Sequence, residues 1–193
     1  MSFAFKKCDI EGLYEVYPEI HADSRGFFSE IYNERVFLKA GLSMKFVQDN
    51  VSFSSRGVLR GLHYQTMHPQ GKLVYTLSGR VFDVAVDLRK GSSSFGRWHG
   101  VILDAEKKNM LYIPEGFAHG FLVLSETALF AYKCTDFYDP EGEGGILWND
   151  PTIAVHWPLP SETDPILSKK DMKLPLFGTE KDYFPIDGIW MGK

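Results

Sequence analysis

Cysteine is scarce. Cys8 and Cys134 are the only two in 193 residues, too few for a disulfide framework. An excess of positive charge is also missing. Lys and Arg total 21 against 25 Asp and Glu, for a formal net charge of −4. That balance gives a nucleic-acid partner no global support, although a small cationic pocket stays open. Long apolar runs are absent: VILDA and GFLVL fall far short of a membrane span. The opening MSFAFKKCDIEGL has no apolar stretch of signal-peptide length. There is no internal repeat, low-complexity tract or long linker. These absences lead to the expectation of a cytoplasmic, reduced, single domain over residues 1–193, with no membrane partner.

What is present is aromatic and glycine-rich. Aromatics make up 15% of the chain and there are 18 glycines, a composition suited to many short strands joined by turns. Strand-like runs fall at Leu13–Tyr17, Phe27–Tyr32, Lys45–Phe53, Val58–Tyr64, Lys72–Leu77, Val81–Leu88, Trp98–Leu103, Asn109–Ile113, Gly116–Leu124 and Ala128–Cys134. LSGR at 77–80 reads as a tight hairpin, with Gly79 taking the positive φ that such a turn requires. One helix is expected over Asn33–Gly41, with Asn33 as N-cap and Gly41 as its stop. A second short helix is expected from Ser168. Beyond about residue 140 prolines and loops dominate. The fold class expected is all-β, closed as a barrel or jelly roll, with a loop-rich C-terminal tail.

In VFDVAVDL, Phe82, Val84, Val86 and Leu88 share one face, read as sheet core. Asp83, Ala85 and Asp87 share the other, for which solvent is the expected environment and a polar cavity the alternative.

Four stretches carry chemistry. RGVLRGLHYQ (56–65) places Arg60 and His63 in an apolar strand. Strict alternation sends them to opposite faces, so a common site needs a bulge or twist near Gly61. Otherwise Arg60 is exposed and His63 is a satisfied core histidine. IPEGFAHGF (113–121) contains Pro-x-Gly-x-x-His, the second half of the cupin signature. Metal-binding cupins add His-x-His and Glu earlier in the chain. Here that region reads His63-Tyr64-Gln65, followed by HPQGK without a glutamate. Three or more ligands are needed, so a metal-free pocket is expected, and His68 in its loop is a poor replacement. AYKCTDFY (131–138) sets Tyr132, Cys134 and Asp136 on one strand face. LSKKD (167–171) reads as a solvated helix face when taken alone.

Together with HADSRGFFSE (21–30), FVQDN (46–50), PQGKLV (69–74) and WNDP (148–151), these motifs resemble the dTDP-4-dehydrorhamnose 3,5-epimerase family from about Tyr17 to Leu174. The resemblance implies a cupin-like jelly-roll barrel that uses no metal or organic cofactor. It also implies a reaction: inversion of carbons 3 and 5 of dTDP-4-dehydro-6-deoxy-D-glucose, giving dTDP-4-dehydro-L-rhamnose for dTDP-L-rhamnose biosynthesis. Both carbons flank the carbon-4 ketone, so a base can remove their protons to give an enolate. By resemblance His63 is that base and Asp171 its orienting carboxylate. Tyr132 is the acid on the opposite face, and Lys72 the cation near the ketone oxygen.

The resemblance also implies substrate contacts. Arg25, Arg60 and Lys170 match positions for the diphosphate. Glu30, Gln48, Asp49 and Asn50 match nucleotide-contacting segments. Phe28 and Tyr138 are stacking candidates for the thymine, and Asp83, His119 and Glu143 are further pocket residues. A homodimer is implied, with Arg25 and Glu30 open to serving either their own or the partner's site. Cys134 is read as a packing thiol, and His21 and His156 as structural or exposed. The alternatives are a relative that inverts only one carbon, a metal-dependent cupin enzyme, and a non-catalytic sugar-nucleotide binder.

Overall fold

The computed structural model describes residues 2–160, 163–178 and 184. Two antiparallel sheets face each other. The first has six strands in the order β1 (Phe3–Lys7), β2 (Tyr14–Pro18), β10 (Met110–Ile113), β7 (Lys72–Ser78), β12 (Thr127–Cys134) and β5 (Gln48–Ser55). The second has five: β13 (Glu143–Gly145), β6 (Leu59–Gln65), β11 (Phe117–Val123), β8 (Arg80–Asp87) and β9 (Trp98–Asp104). A separate hairpin pairs β3 (His21–Asp23) with β4 (Gly26–Phe28). The chain is the jelly roll that the strand pattern predicts. No helix among the described residues is long and apolar enough to cross a membrane.

Between the sheets Val74, Phe130, Ala85, Phe117 and Phe121 form the inner core. Outside the six-stranded sheet lies α1 (Glu34–Lys39), whose Phe37 is fully buried. Phe3, Phe5 and Tyr32 pack edge-on against that ring at 5.0–5.4 Å. Burying such a side chain contributes roughly 1.5–3 kcal/mol, enough to hold so short a helix in place. Asn33 caps it as expected, accepting from the backbone N–H of Arg35 and Val36. Outside the five-stranded sheet, Ile146, Ile153 and Phe184 cover Leu62, Val84 and Val86.

This third layer overturns one expectation. Asp83, Ala85 and Asp87 do not face solvent; all three are buried. They point into the barrel, while Val84 and Val86 face the C-terminal layer. A sheet covered on both sides gives its alternation no solvent face. LSGR is also not a hairpin. β7 pairs with β10 and β12, whereas β8 pairs with β9 and β11, so the turn carries the chain from one sheet to the other. Gly79 does have positive φ (78°), and a Cβ there would lie 2.2 Å from the Thr127 carbonyl oxygen. The run expected at Phe27–Tyr32 ends at Phe28, and residues 29–33 lead into α1 without strand pairing. From Ser168 the chain forms only a single 3₁₀ turn, Asp171–Lys173. β1, β3 and β13 lie outside the runs read from the sequence; each is three to five residues long.

Candidate active site

The site is built on a local irregularity of β6. His63 faces His119 on β11, and Arg60 faces Phe121, so one extra residue sits in β6 between them. That bulge puts both Arg60 and His63 on the barrel's inner side. It depends on two glycines. Gly61 has φ 116°, and a Cβ there would meet Gly120 Cα at 2.6 Å and the His119 carbonyl oxygen at 2.7 Å. A Cβ on Gly120 would lie 2.6 Å from the Arg60 carbonyl oxygen. The backbones of β6 and β11 touch where no side chain fits.

Arg60, His63, Lys72, His119, Tyr132, Glu143, Lys170 and Asp171 line one cavity of about 410 Å³. An adjoining cavity of about 260 Å³ shares His63, Lys72, Tyr132 and Glu143 with it, and adds Gln48, Asn50 and Tyr138. His63 comes from the five-stranded sheet and Tyr132 from the six-stranded one, so they approach the space from opposite walls.

His63 Nε2 lies 2.7 Å from Asp171 Oδ1, and Asp171 is almost fully buried. The Ser168 hydroxyl accepts the Asp171 backbone N–H at 3.0 Å and fixes the 3₁₀ turn that presents the carboxylate. Burial alone would raise the Asp171 carboxyl. The hydrogen bond from His63, with help from Ser168 and Lys170, outweighs it and holds the group below its ordinary value. With Nε2–H donated to an ionised carboxylate, His63 keeps its lone pair on Nδ1. Burial holds the Tyr132 phenol above its usual range, so it is protonated at neutral pH. Lys72 is buried on β7, and burial pushes its ammonium below the ordinary lysine value against the pull of Cys134, Asp83 and Glu143.

Around these groups Arg60 Nε donates to Ser54 Oγ at 3.1 Å. Glu143 Oε2 accepts from the Tyr138 hydroxyl at 2.6 Å and pairs with Lys170. Asp83 does not line the cavity. It is fully buried behind His119, whose Nε2 lies 2.9 Å from Asp83 Oδ2, so it orients that ring instead of presenting itself to a ligand. His63 and His119, the histidines of the two cupin-like motifs, each have Nε2 against a carboxylate of their own. Asp49 points the other way from its neighbours Gln48 and Asn50, and both of its carboxylate oxygens take Lys133 at 2.9 Å on the outer face. Arg25, Phe28 and Glu30 lie on or just beyond the β3–β4 hairpin and line neither cavity; Arg25 is exposed and paired with Asp23 at 2.6 Å. Phe121 and Phe130, stacked at 4.1 Å on the cavity wall, were not singled out in the sequence, where they look like ordinary core aromatics.

Residues 7–179 match the family described as dTDP-4-dehydrorhamnose 3,5-epimerase. The chain belongs to that family. A dTDP-4-dehydrorhamnose 3,5-epimerase of Pseudomonas aeruginosa is 56% identical over 169 residues, covering 87% of this chain and 92% of that protein. Among solved structures, the dTDP-6-deoxy-D-glucose-3,5-epimerase of Legionella pneumophila, in complex with dTDP-4-keto-L-rhamnose, is 50% identical with a TM-score of 0.87, covering 91% of this chain and 93% of that one. A 3′-monoepimerase of Streptomyces bikiniensis, in complex with dTDP-quinovose, is 35% identical with a TM-score of 0.81, covering 88% and 85%. The solved structures that this chain resembles thus include a 3′-monoepimerase as well as a 3,5-epimerase.

Proposed function

We propose that the chain is a dTDP-4-dehydrorhamnose 3,5-epimerase that inverts carbons 3 and 5 of dTDP-4-dehydro-6-deoxy-D-glucose. One observation supports the mechanism: an imidazole paired with a buried carboxylate and a tyrosine phenol enter one cavity from opposite sheets. His63 Nδ1 takes the proton from the carbon next to the ketone. Its Nε2–H, held by Asp171, lets the ring accept that proton as an imidazolium balanced by a carboxylate. The electron pair left behind moves onto the carbon-4 oxygen, where the Lys72 ammonium offsets the enolate charge. Tyr132 then returns a proton to the opposite face of the same carbon. The step balances: one C–H bond breaks, one forms, and the centre is inverted.

Arg60, at the cavity mouth with its guanidinium free beyond the Ser54 contact, suits the diphosphate. Gln48, Asn50, Tyr138 and Glu143 line the adjoining space suited to the nucleoside. We further propose a homodimer. β5 is an edge strand whose outer face carries exposed Val51 and Phe53, and the β3–β4 hairpin exposes Phe27 and Phe28. Edge strands with exposed apolar rows call for a partner. Arg25, Phe28 and Glu30 line neither cavity of their own chain, and we assign them to the second copy's site.

Inversion at one carbon is the second reading, favoured only by the likeness to the 3′-monoepimerase. Proton NMR of the product formed in heavy water separates the two. Deuterium at both carbons and a rhamno-configured product are expected; deuterium at one carbon alone would assign the narrower activity. Light scattering should give twice the chain mass, and a monomer would overturn the dimer.

A further inference from the structure

A second cluster lies inside the barrel, outside both catalytic cavities. Glu15 on β2 pairs with Leu111, and His99 on β9 pairs with Ala85. Leu111 and Ala85 both belong to the inner core, so Glu15 and His99 follow them inward. Cys8, just beyond β1, packs against the same core. The three donor atoms, a thiol sulfur, a carboxylate oxygen and an imidazole nitrogen, all lie within 4.8 Å of one another. None of the three residues lines the catalytic cavities. His99 Nε2 is buried, has no hydrogen-bond partner and lies 3.8 Å from Glu15 Oε1. A buried ring nitrogen with no hydrogen-bond partner can bind a metal through the lone pair of the neutral imidazole. The carboxylate beside it is already oriented, because the Tyr17 hydroxyl donates to Oε2. Its Oε1 is held by Lys6 at 2.9 Å, and that ammonium arm is 66% exposed, free to swing out into water.

We propose that Cys8, Glu15 and His99 bind a divalent d-block cation of the zinc type, which ties the β1–β2 edge of one sheet to β9 of the other. Thiolate, imidazole and carboxylate together select zinc or cobalt over magnesium or calcium. Tetrahedral zinc bonds of about 2.0–2.3 Å set donors roughly 3.3–3.8 Å apart, so the widest spacing here closes by about 1 Å on binding. The charges balance. Cys8 gives its proton to solvent, Lys6 leaves Oε1, and one thiolate and one carboxylate neutralise the 2+ ion. Water takes the fourth position. The site is structural, and its three ligands line neither catalytic cavity.

The test uses the full chain, stripped with chelator and then loaded with zinc or cobalt(II) alone. One zinc per chain should survive dialysis, and cobalt(II) should give a thiolate-to-metal absorption band. Cys8→Ser should lose the band and His99→Ala the bound equivalent, while epimerase turnover in Cys8→Ser stays unchanged. Tyr17→Phe should weaken binding about tenfold, as loss of an outer hydrogen bond to a ligand does. In the unmutated chain zinc should slow alkylation of Cys8, a readout that does not depend on any variant folding. Failure to retain zinc, retention that is lost in His63→Ala but not in Cys8→Ser, or Cys8 alkylation indifferent to zinc would each overturn the site.

Discussion

His63 and Asp171 share one hydrogen bond, and that bond decides which imidazole nitrogen can act as the base. Asp171→Asn keeps the shape but can present its amide N–H to Nε2, which moves the lone pair off Nδ1. Turnover should fall about 10²–10⁴-fold with little change in KM, measured by steady-state kinetics; an unchanged kcat would remove Asp171 from the mechanism. Tyr132→Phe removes the acid but not the base. Substrate protons should still exchange with heavy water while inverted product forms poorly; normal rates of inverted product would reassign the acid. At this scale the sequence was informative about residue types but not about orientation. Asp83 and Asp49 have the same carboxylate as Asp171. Strand register sets one behind His119 and the other on the outer face, whereas a 3₁₀ turn presents Asp171.

Among the elements, β6 and β5 show what alternation can and cannot reveal. Arg60 and His63 share a face only because of the bulge, so the geometric demand at Gly61 was readable from RGVLRGLHYQ while its partner Gly120 was not. Gly61→Ala would push a methyl into Gly120 and the His119 carbonyl. It should cost about 1–3 kcal/mol in thermal or urea melts, and it should lower activity beyond that loss because the two side chains no longer share the cavity. A variant of wild-type stability and activity would show that the close approach is dispensable. β5 inverts the usual rule. Gln48, Asn50 and Ser52 face inward and Val51 and Phe53 face solvent. Read alone it looks like a strand set backwards; beside a polar cavity and a free sheet edge the inversion makes sense.

At the scale of the whole molecule, the barrel and most of its strands were legible because period-two patterning survives wherever a face is buried. The LSGR crossover and the third layer were not, because a turn's sequence does not say which sheet its strands join, and coverage by the C-terminal segment is a long-range fact. Asp87 lies on the opposite face of β8, inside the barrel, where alternation alone had suggested solvent. It is fully buried, and Arg89, Ser92 and Ser94 all donate to it. Burial would raise its carboxyl, but these donors hold it below its ordinary value of 3.8. A depressed carboxylate contributes stability that is complete above its unfolded value and is lost as pH falls through the folded one. The melting temperature should therefore drop as pH falls below 3.8, and Asp87→Asn, which costs roughly 3 kcal/mol at neutral pH, should flatten part of that drop. An equal drop in the variant would move the effect elsewhere. The catalytic reading is tested most directly by following deuterium entry at carbons 3 and 5 of dTDP-4-dehydro-6-deoxy-D-glucose in wild type and in His63→Ala, with dTDP binding measured in parallel. Wild type should label both carbons, and the variant neither while still binding dTDP; labelling at wild-type rate without the imidazole would contradict the mechanism.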